Sequence, residues 1–205
     1  MSNKIKKYLS NDMWYHATTL DNWNSICNRG ILADYNKDTS DALDFGYGFY
    51  LSPTKERAEK YISDLLKVGV LIDSEPIILG FEFCPLVYLQ NENYNFKILN
   101  AYDNEFASFV FENRTKNVRG QNQHNFDIIF GVMSDSIPIK IITEYKMGII
   151  SKEEAIEKLK KQTSMKQLSL HSQELCDILK LKEVYVLDIK TNERKELNLN
   201  DYYNR

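Results

Sequence analysis

The stretch DFGYGFYLSP, Asp44 to Pro53, couples a glycine-rich turn to an aromatic strand and then to a helix. Gly46 and Gly48 lead into an alternating run in which Phe49 and Leu51 share one side and Tyr50 faces the other, the pattern of a turn feeding a strand. Glycine admits positive φ and close approach of a ligand or another backbone, so the turn is expected to present Tyr50 at the wall of a cleft. Ser52 then fits a helix N-cap and Pro53 the first helical position. Ala58, Tyr61, Ile62, Leu65 and Leu66 supply the apolar face of a helix over 53–67.

Upstream, a polar lead-in over 1–12 gives way to Met13–Thr19, whose aromatic density predicts a short strand with His16 at its end, where the ring reaches solvent or a ligand or is satisfied within the fold. Leu20, Trp23, Ile26 and Cys27 follow at helical spacing until Gly30 ends the helix, and 31–43 is a polar loop. Downstream, Ile77, Leu79, Phe81 and Phe83 alternate within 76–89 as a strand with one buried face, with Val68–Ile72 as a short partner. Asp103–Arg114 reads as a helix bearing Phe106, Phe109 and Val110, broken by the polar run TKNVRGQNQH that ends at His124, an exposed loop histidine.

Phe126–Gly131 is an apolar run expected as a strand buried on both sides, inside which Asp127 has to be paired or face a polar cleft. Arg114 is expected to pair with Asp127 or Glu105, or to reach a phosphate. Two helices come next, over 134–147 with Ile137, Ile141, Ile142 and Tyr145, and over 151–162 with Ser151 and Glu154 at capping-box spacing. A short strand at Gln167–Leu170, a helix capped by Ser172, and a last strand at Glu183–Ile189 complete the pattern. The expected organisation is a lead-in at 1–12, a single domain at 13–190 and a polar, peripheral tail at 191–205.

A chain of 205 residues, 43% hydrophobic, can bury one substantial core. Its 29 acidic against 26 basic residues, a formal charge of −3, argue against a protein that grips nucleic acid chiefly through phosphates. Cys27, Cys84 and Cys176 are odd in number and widely spaced, with no pair placed for zinc or thiol exchange, so they are expected to be reduced. No apolar run matches a signal peptide or a membrane span of roughly 20 residues, which predicts a cytoplasmic protein without membrane contact. Phosphate-loop, dinucleotide-fingerprint, nucleophile-elbow and His-Glu-x-x-His patterns do not occur. Short strands at both ends with helices gathered between them argue an α+β fold.

Two pieces together carry a resemblance. His16 in WYHATT, succeeded by Tyr50 after the Gly-rich turn of FGYGFYLS and then a helix, resembles the opening elements of the His-Tyr-Glu class of ADP-ribosyltransferases, which includes poly-ADP-ribose polymerases and diphtheria-like toxins. More closely, the chain from Trp14 to about Leu181 resembles an uncharacterised bacterial family with that core. The shared pieces are the histidine strand, DFG-x-GFYLS, the helix from Asp103 to Arg114, FDIIFG, and the Q-x-x-x-H-S stretch from Gln167 to Ser172.

The resemblance implies a split core of two small antiparallel sheets with flanking helices, and NAD as substrate in the cleft between the sheets. His16, with Ala17 and Thr18 beside it, would hold the adenosine ribose, Tyr50 would stack on the nicotinamide, and Gly46 would sit in the adjoining turn. An aromatic face suits a cationic pyridinium, with about 0.5–2 kcal/mol expected from such contacts. The third member of the class is a glutamate, and Gln167 stands at the matching place. The activity implied is transfer of ADP-ribose from NAD to a macromolecular acceptor, a protein first, with nucleic acid open and an antitoxin-like small partner implied, in a toxin or phage-conflict setting. The alternatives are a non-catalytic NAD- or ADP-ribose-binding module, since glutamine supplies no charge, and an interaction protein on a degenerate transferase fold.

Overall fold

The computed structural model describes residues 2–38, 43–69, 71, 74–116, 121–134, 138–161 and 165–203. Their elements are, in chain order, α1 (Asn3–Leu9), β1 (Met13–Thr19), α2 (Leu20–Arg29), β2 (Phe49–Leu51), α3 (Lys55–Lys67), β3 (Pro76–Glu82), β4 (Phe96–Leu99), α4 (Asn104–Lys116), β5 (Ile128–Val132), α5 (Pro138–Lys146), α6 (Lys152–Leu159), β6 (Lys166–Leu170), α7 (Gln173–Asp177), β7 (Lys180–Leu187), β8 (Arg194–Glu196) and α8 (Asn200–Tyr203). The architecture is α+β, with two open four-stranded sheets in the orders β1-β3-β7-β8 and β2-β6-β5-β4. Two compact units emerge, one of Met1–Leu32, Tyr50–Asn91 and Glu174–Arg205, the other of Ala33–Phe49 and Glu92–Gln173.

In the first unit β3 pairs antiparallel with both β1 and β7. Ala58 and Ile62 of α3 are buried against Ile78, Tyr185 and Leu187, and Tyr15 and Ala17 of β1 pack against the same cluster. Full burial of one such aliphatic side chain contributes about 1.5–3 kcal/mol, which is what holds α3 to the sheet. Ile77, Leu79 and Phe81 are buried as well, so β3 is covered on both faces, not on the single face its alternation predicts.

The helix start also differs from expectation. The backbone of Ser52 exchanges hydrogen bonds with Tyr15, N–H to O at 2.7 Å and 2.9 Å, which keeps the chain extended up to Pro53. The cap therefore moves to Thr54, whose side chain makes no capping bond. In place of the partner strand expected at Val68–Ile72, Val68 is the C-cap of α3, Gly69 continues the turn and Leu71 lies in a bend, while Val70 and Ile72 are outside the described residues.

Neither terminus is a plain polar appendage. The lead-in forms α1, capped by the Ser2 side chain, and buries Leu9. In the tail β8 pairs with β7, while Tyr202 is buried and stacks on Trp23 with ring centroids 6.2 Å apart.

In the second unit β5 is buried along its whole length, antiparallel to β6 and parallel to β4. The second sheet is therefore not wholly antiparallel, since β4 and β5 run parallel. Asp127 sits just ahead of β5, where its Oδ2 accepts the Asn95 N–H at 2.8 Å, so the carboxylate is paired without entering the strand. The Ser151–Glu154 capping box forms as the spacing predicts. The helix expected over 134–147 is α5, beginning at Pro138, with Ile137 outside the described residues.

Candidate functional site

In the first unit His16 lies in the middle of β1, opposite Leu79, and not at the strand's end. Its Nδ1 is 2.7 Å from the Tyr50 carbonyl oxygen. A carbonyl only accepts, so Nδ1 carries the proton and Nε2 is the acceptor nitrogen of the ring. Burial lowers the His16 pKa to about 4 against the opposing pull of the Tyr50 carbonyl, leaving a neutral imidazole at physiological pH. Ala17 packs toward the α3 core, and Thr18 is buried two residues beyond His16. Tyr50 itself is half-buried, between the buried Phe49 and Leu51. Thus His16 and Tyr50 are brought together in this unit, while Gly46 and Gln167 belong to the other.

The second unit holds a buried polar cluster whose centre is Asp44. Asp44 Oδ1 accepts from Arg114 Nη2 at 2.9 Å, Arg114 Nε at 3.3 Å and Ser134 Oγ at 2.5 Å. Its Oδ2 accepts from the Ser134 N–H at 2.9 Å and from Gln167 Nε2 at 3.2 Å. The partner of Arg114 is therefore Asp44, not Asp127 or Glu105; Glu105 pairs with Lys97. Both members of the Asp44–Arg114 pair are buried, a placement that is tolerable only because the carboxylate's remaining lone pairs are satisfied. Gln167 is 5% exposed, on β6 opposite Gly131, and its Nε2 also lies 3.4 Å from the Val132 carbonyl.

The glycine turn beside this cluster is clamped by protein. Gly46 has φ of 81°, and a Cβ there would sit 2.1 Å from Asn122 Oδ1. Asn122 grips the next residue from both sides, accepting from the Tyr47 N–H at 2.8 Å and donating to the Tyr47 carbonyl at 3.0 Å. A Cβ on Gly48 would lie 2.8 Å from both His171 Nδ1 and the Leu170 carbonyl. His171 Nδ1 donates to the Tyr47 carbonyl at 2.6 Å, and its Nε2 accepts from Ser169 Oγ at 2.8 Å. His124, half-buried and not exposed, donates from Nε2 to the Phe45 carbonyl at 2.7 Å and meets the His171 ring edge-on at 4.7 Å.

Burial, helped by the neighbouring His124, drives the His171 pKa down to about 3 against the Tyr47 carbonyl, and burial likewise lowers His124. Neutral imidazoles with fixed tautomers are positioning groups here, not acids. Sequence reasoning passes over Asp44, Asn122 and His171 as site residues. Asp44 opens the glycine block and His171 is the histidine of the Q-x-x-x-H-S stretch, so both carry a signal; Asn122 leaves none, because its role is to bond a backbone far away in sequence.

Ser134 also borders a cavity of about 470 Å³ beside α5 and α6, lined by Pro138, Ile141, Leu159 and several lysines, of which Lys158 and Lys140 face Glu144 at 3.0 Å and 3.9 Å. Among the described residues no three His, Cys, Asp or Glu side chains group to hold a metal, and no helix is long and apolar enough to cross a membrane.

No curated protein and no solved structure matches the chain. One family model does, from residue 33 to residue 181, a span that takes in the glycine turn, Arg114, Asn122, His124, Gln167 and His171, while β1 with His16 lies ahead of it. The chain belongs to the family described as protein of unknown function (DUF3990).

Proposed function

We propose that the protein transfers ADP-ribose from NAD to a macromolecular acceptor. The observation that carries the reading is the 2.7 Å contact between His16 Nδ1 and the Tyr50 carbonyl, which joins the two residues that the resemblance assigns to NAD. With Nδ1 donating to that carbonyl, Nε2 is the acceptor nitrogen of a neutral ring, the chemistry that a ribose hydroxyl requires. In the reaction the bond between ribose C1′ and the nicotinamide nitrogen breaks, its electron pair neutralising the pyridinium. A lone pair of the acceptor then closes on the oxocarbenium-like carbon, and the acceptor's proton passes to solvent. Groups that favour this charge separation act in the transition state more than in the ground state. A protein acceptor, a toxin or phage-conflict role in the cytoplasm, and a small antitoxin-like partner are the setting that this reading implies.

Position 167 favours a second reading, a non-catalytic NAD- or ADP-ribose-binding module, because the side chain there is an uncharged amide bonded to Asp44. Incubation of the purified protein with NAD separates the two, since only the enzyme releases nicotinamide. In calorimetry with NAD, Tyr50→Ala should weaken binding at least several-fold and Tyr50→Phe should keep most of it, because about 0.5–2 kcal/mol rides on the ring face. Equal affinity in wild type and Tyr50→Ala would remove Tyr50 from the site under either reading.

A further inference from the structure

We infer that Asp44 is a positioning residue for Gln167, fixing its amide so that Oε1 is offered as an acceptor to a hydroxyl of the bound sugar, and that its carboxylate is the reason position 167 carries an amide and not an acid. The sugar-binding half of the inference rests on the proposed NAD chemistry; the orientation of the amide does not.

An amide side chain has one donor end and one acceptor end. Gln167 meets Asp44 Oδ2 at 3.2 Å and the Val132 carbonyl at 3.4 Å, and both accept only. Nε2 must therefore face them, and the alternative flip would set Oε1 against two acceptors at once. With the donor end committed, Oε1 points elsewhere, and among the described residues nothing donates to it. Asp44 cannot turn away, because Arg114 and Ser134 hold it through four further hydrogen bonds. A carboxylate at 167 would place an oxygen where Nε2 now meets Asp44, two buried anions at hydrogen-bond distance. The charged groups facing the site are Asp44, from the loop ahead of β2, and Arg114, from α4. The paired strand β5 brings only neutral side chains, and Lys166 is turned to Asn100.

The test compares wild type, Gln167→Glu and Asp44→Asn/Gln167→Glu. In Gln167→Glu the introduced carboxyl has its pKa raised in the fold, so its stability is present below the unfolded value and is lost as pH rises. The Tm deficit against wild type should widen by more than about 4 °C between pH 5 and pH 8. The double variant removes one of the two facing carboxylates, and its deficit should stay constant with pH. A pH-independent deficit in Gln167→Glu, or an equal widening in the double variant, would overturn the inference. Nicotinamide release gives the second readout: Gln167→Glu should lower kcat about tenfold or more with KM for NAD within about twofold, and the double variant should recover part of the loss. Full wild-type kcat in Gln167→Glu would overturn the positioning role. If the wild type itself releases no nicotinamide, the transferase reading fails, while the pH-dependent Tm still decides whether Asp44 dictates the chemistry of position 167.

Discussion

Acid should unfold this protein well above the range in which carboxylates titrate, and the histidines set the size of the effect. His16 and His171 have folded pKa values near 4 and 3, against about 6.5 for an unperturbed histidine. Between these limits the unfolded chain binds a proton that the fold refuses, so stability is fully present above about pH 6.5 and falls as pH drops. At pH 5 each ring has lost about 1.5 pH units' worth of stabilisation, roughly 2 kcal/mol at 1.36 kcal/mol per unit. One such loss in each unit is a large part of a typical total of about 5–15 kcal/mol. The protein has two tryptophans, Trp14 and Trp23, and both lie in the unit that contains His16. Urea titrations at pH 8, 6 and 5, monitored by tryptophan fluorescence, therefore report the unit with His16, while far-ultraviolet circular dichroism reports both units. His171→Asn should leave the fluorescence-detected pH dependence nearly unchanged, and His16→Asn should flatten it by about one proton. Unfolding free energies that agree within about 0.5 kcal/mol from pH 8 to pH 5 would refute the assignment of both rings as buried neutral groups.

Packing and charge set two more outcomes. Gly48→Ala puts a methyl 2.8 Å from the Leu170 backbone carbonyl and from His171 Nδ1; the backbone cannot yield, so stability in urea should fall by about 1–3 kcal/mol. Arg114→Met leaves the Asp44 carboxylate buried without its counter-ion and should cost about 3–5 kcal/mol, read as a fall in the urea midpoint at constant m-value.

Much of the fold could be read from local pattern. Met13–Thr19 is a strand and Leu20–Arg29 a helix closed by Gly30, and the Ser151–Glu154 box starts α6, because caps, glycine breaks and apolar periodicity act over a few residues. What could not be read depends on partners distant in the chain. β4 is only four residues, FKIL, with three of them half-buried, so its strand character comes from pairing with β5 and not from its own alternation. The tail is polar almost throughout, yet it docks through the β7–β8 pairing, the Tyr203 hydroxyl on the Leu181 carbonyl and the Tyr202 ring stacked on Trp23. Ser52 looks like a cap by type and by its following proline, but β1 claims its backbone first.

The same limit governs the site. The sequence singles out Gly46 and Gly48 for close approach, which is correct, but the approaching groups are Asn122 and His171 and not necessarily a ligand. Both glycines are therefore demanded by packing alone, since any side chain there would collide with an amide or an imidazole already bonded to Tyr47. The DFG-x-GFY block by itself thus says little about activity: the fold needs these glycines with or without a ligand. Asp44 is likewise explained by Arg114 and Ser134 before any substrate enters. The side chains on which the proposed chemistry turns are fewer: His16 and Tyr50 in one unit and Gln167 in the other. Substitutions that test the proposed function belong at those three side chains, because Gly46, Gly48 and Asp44 are already accounted for by their contacts within the fold.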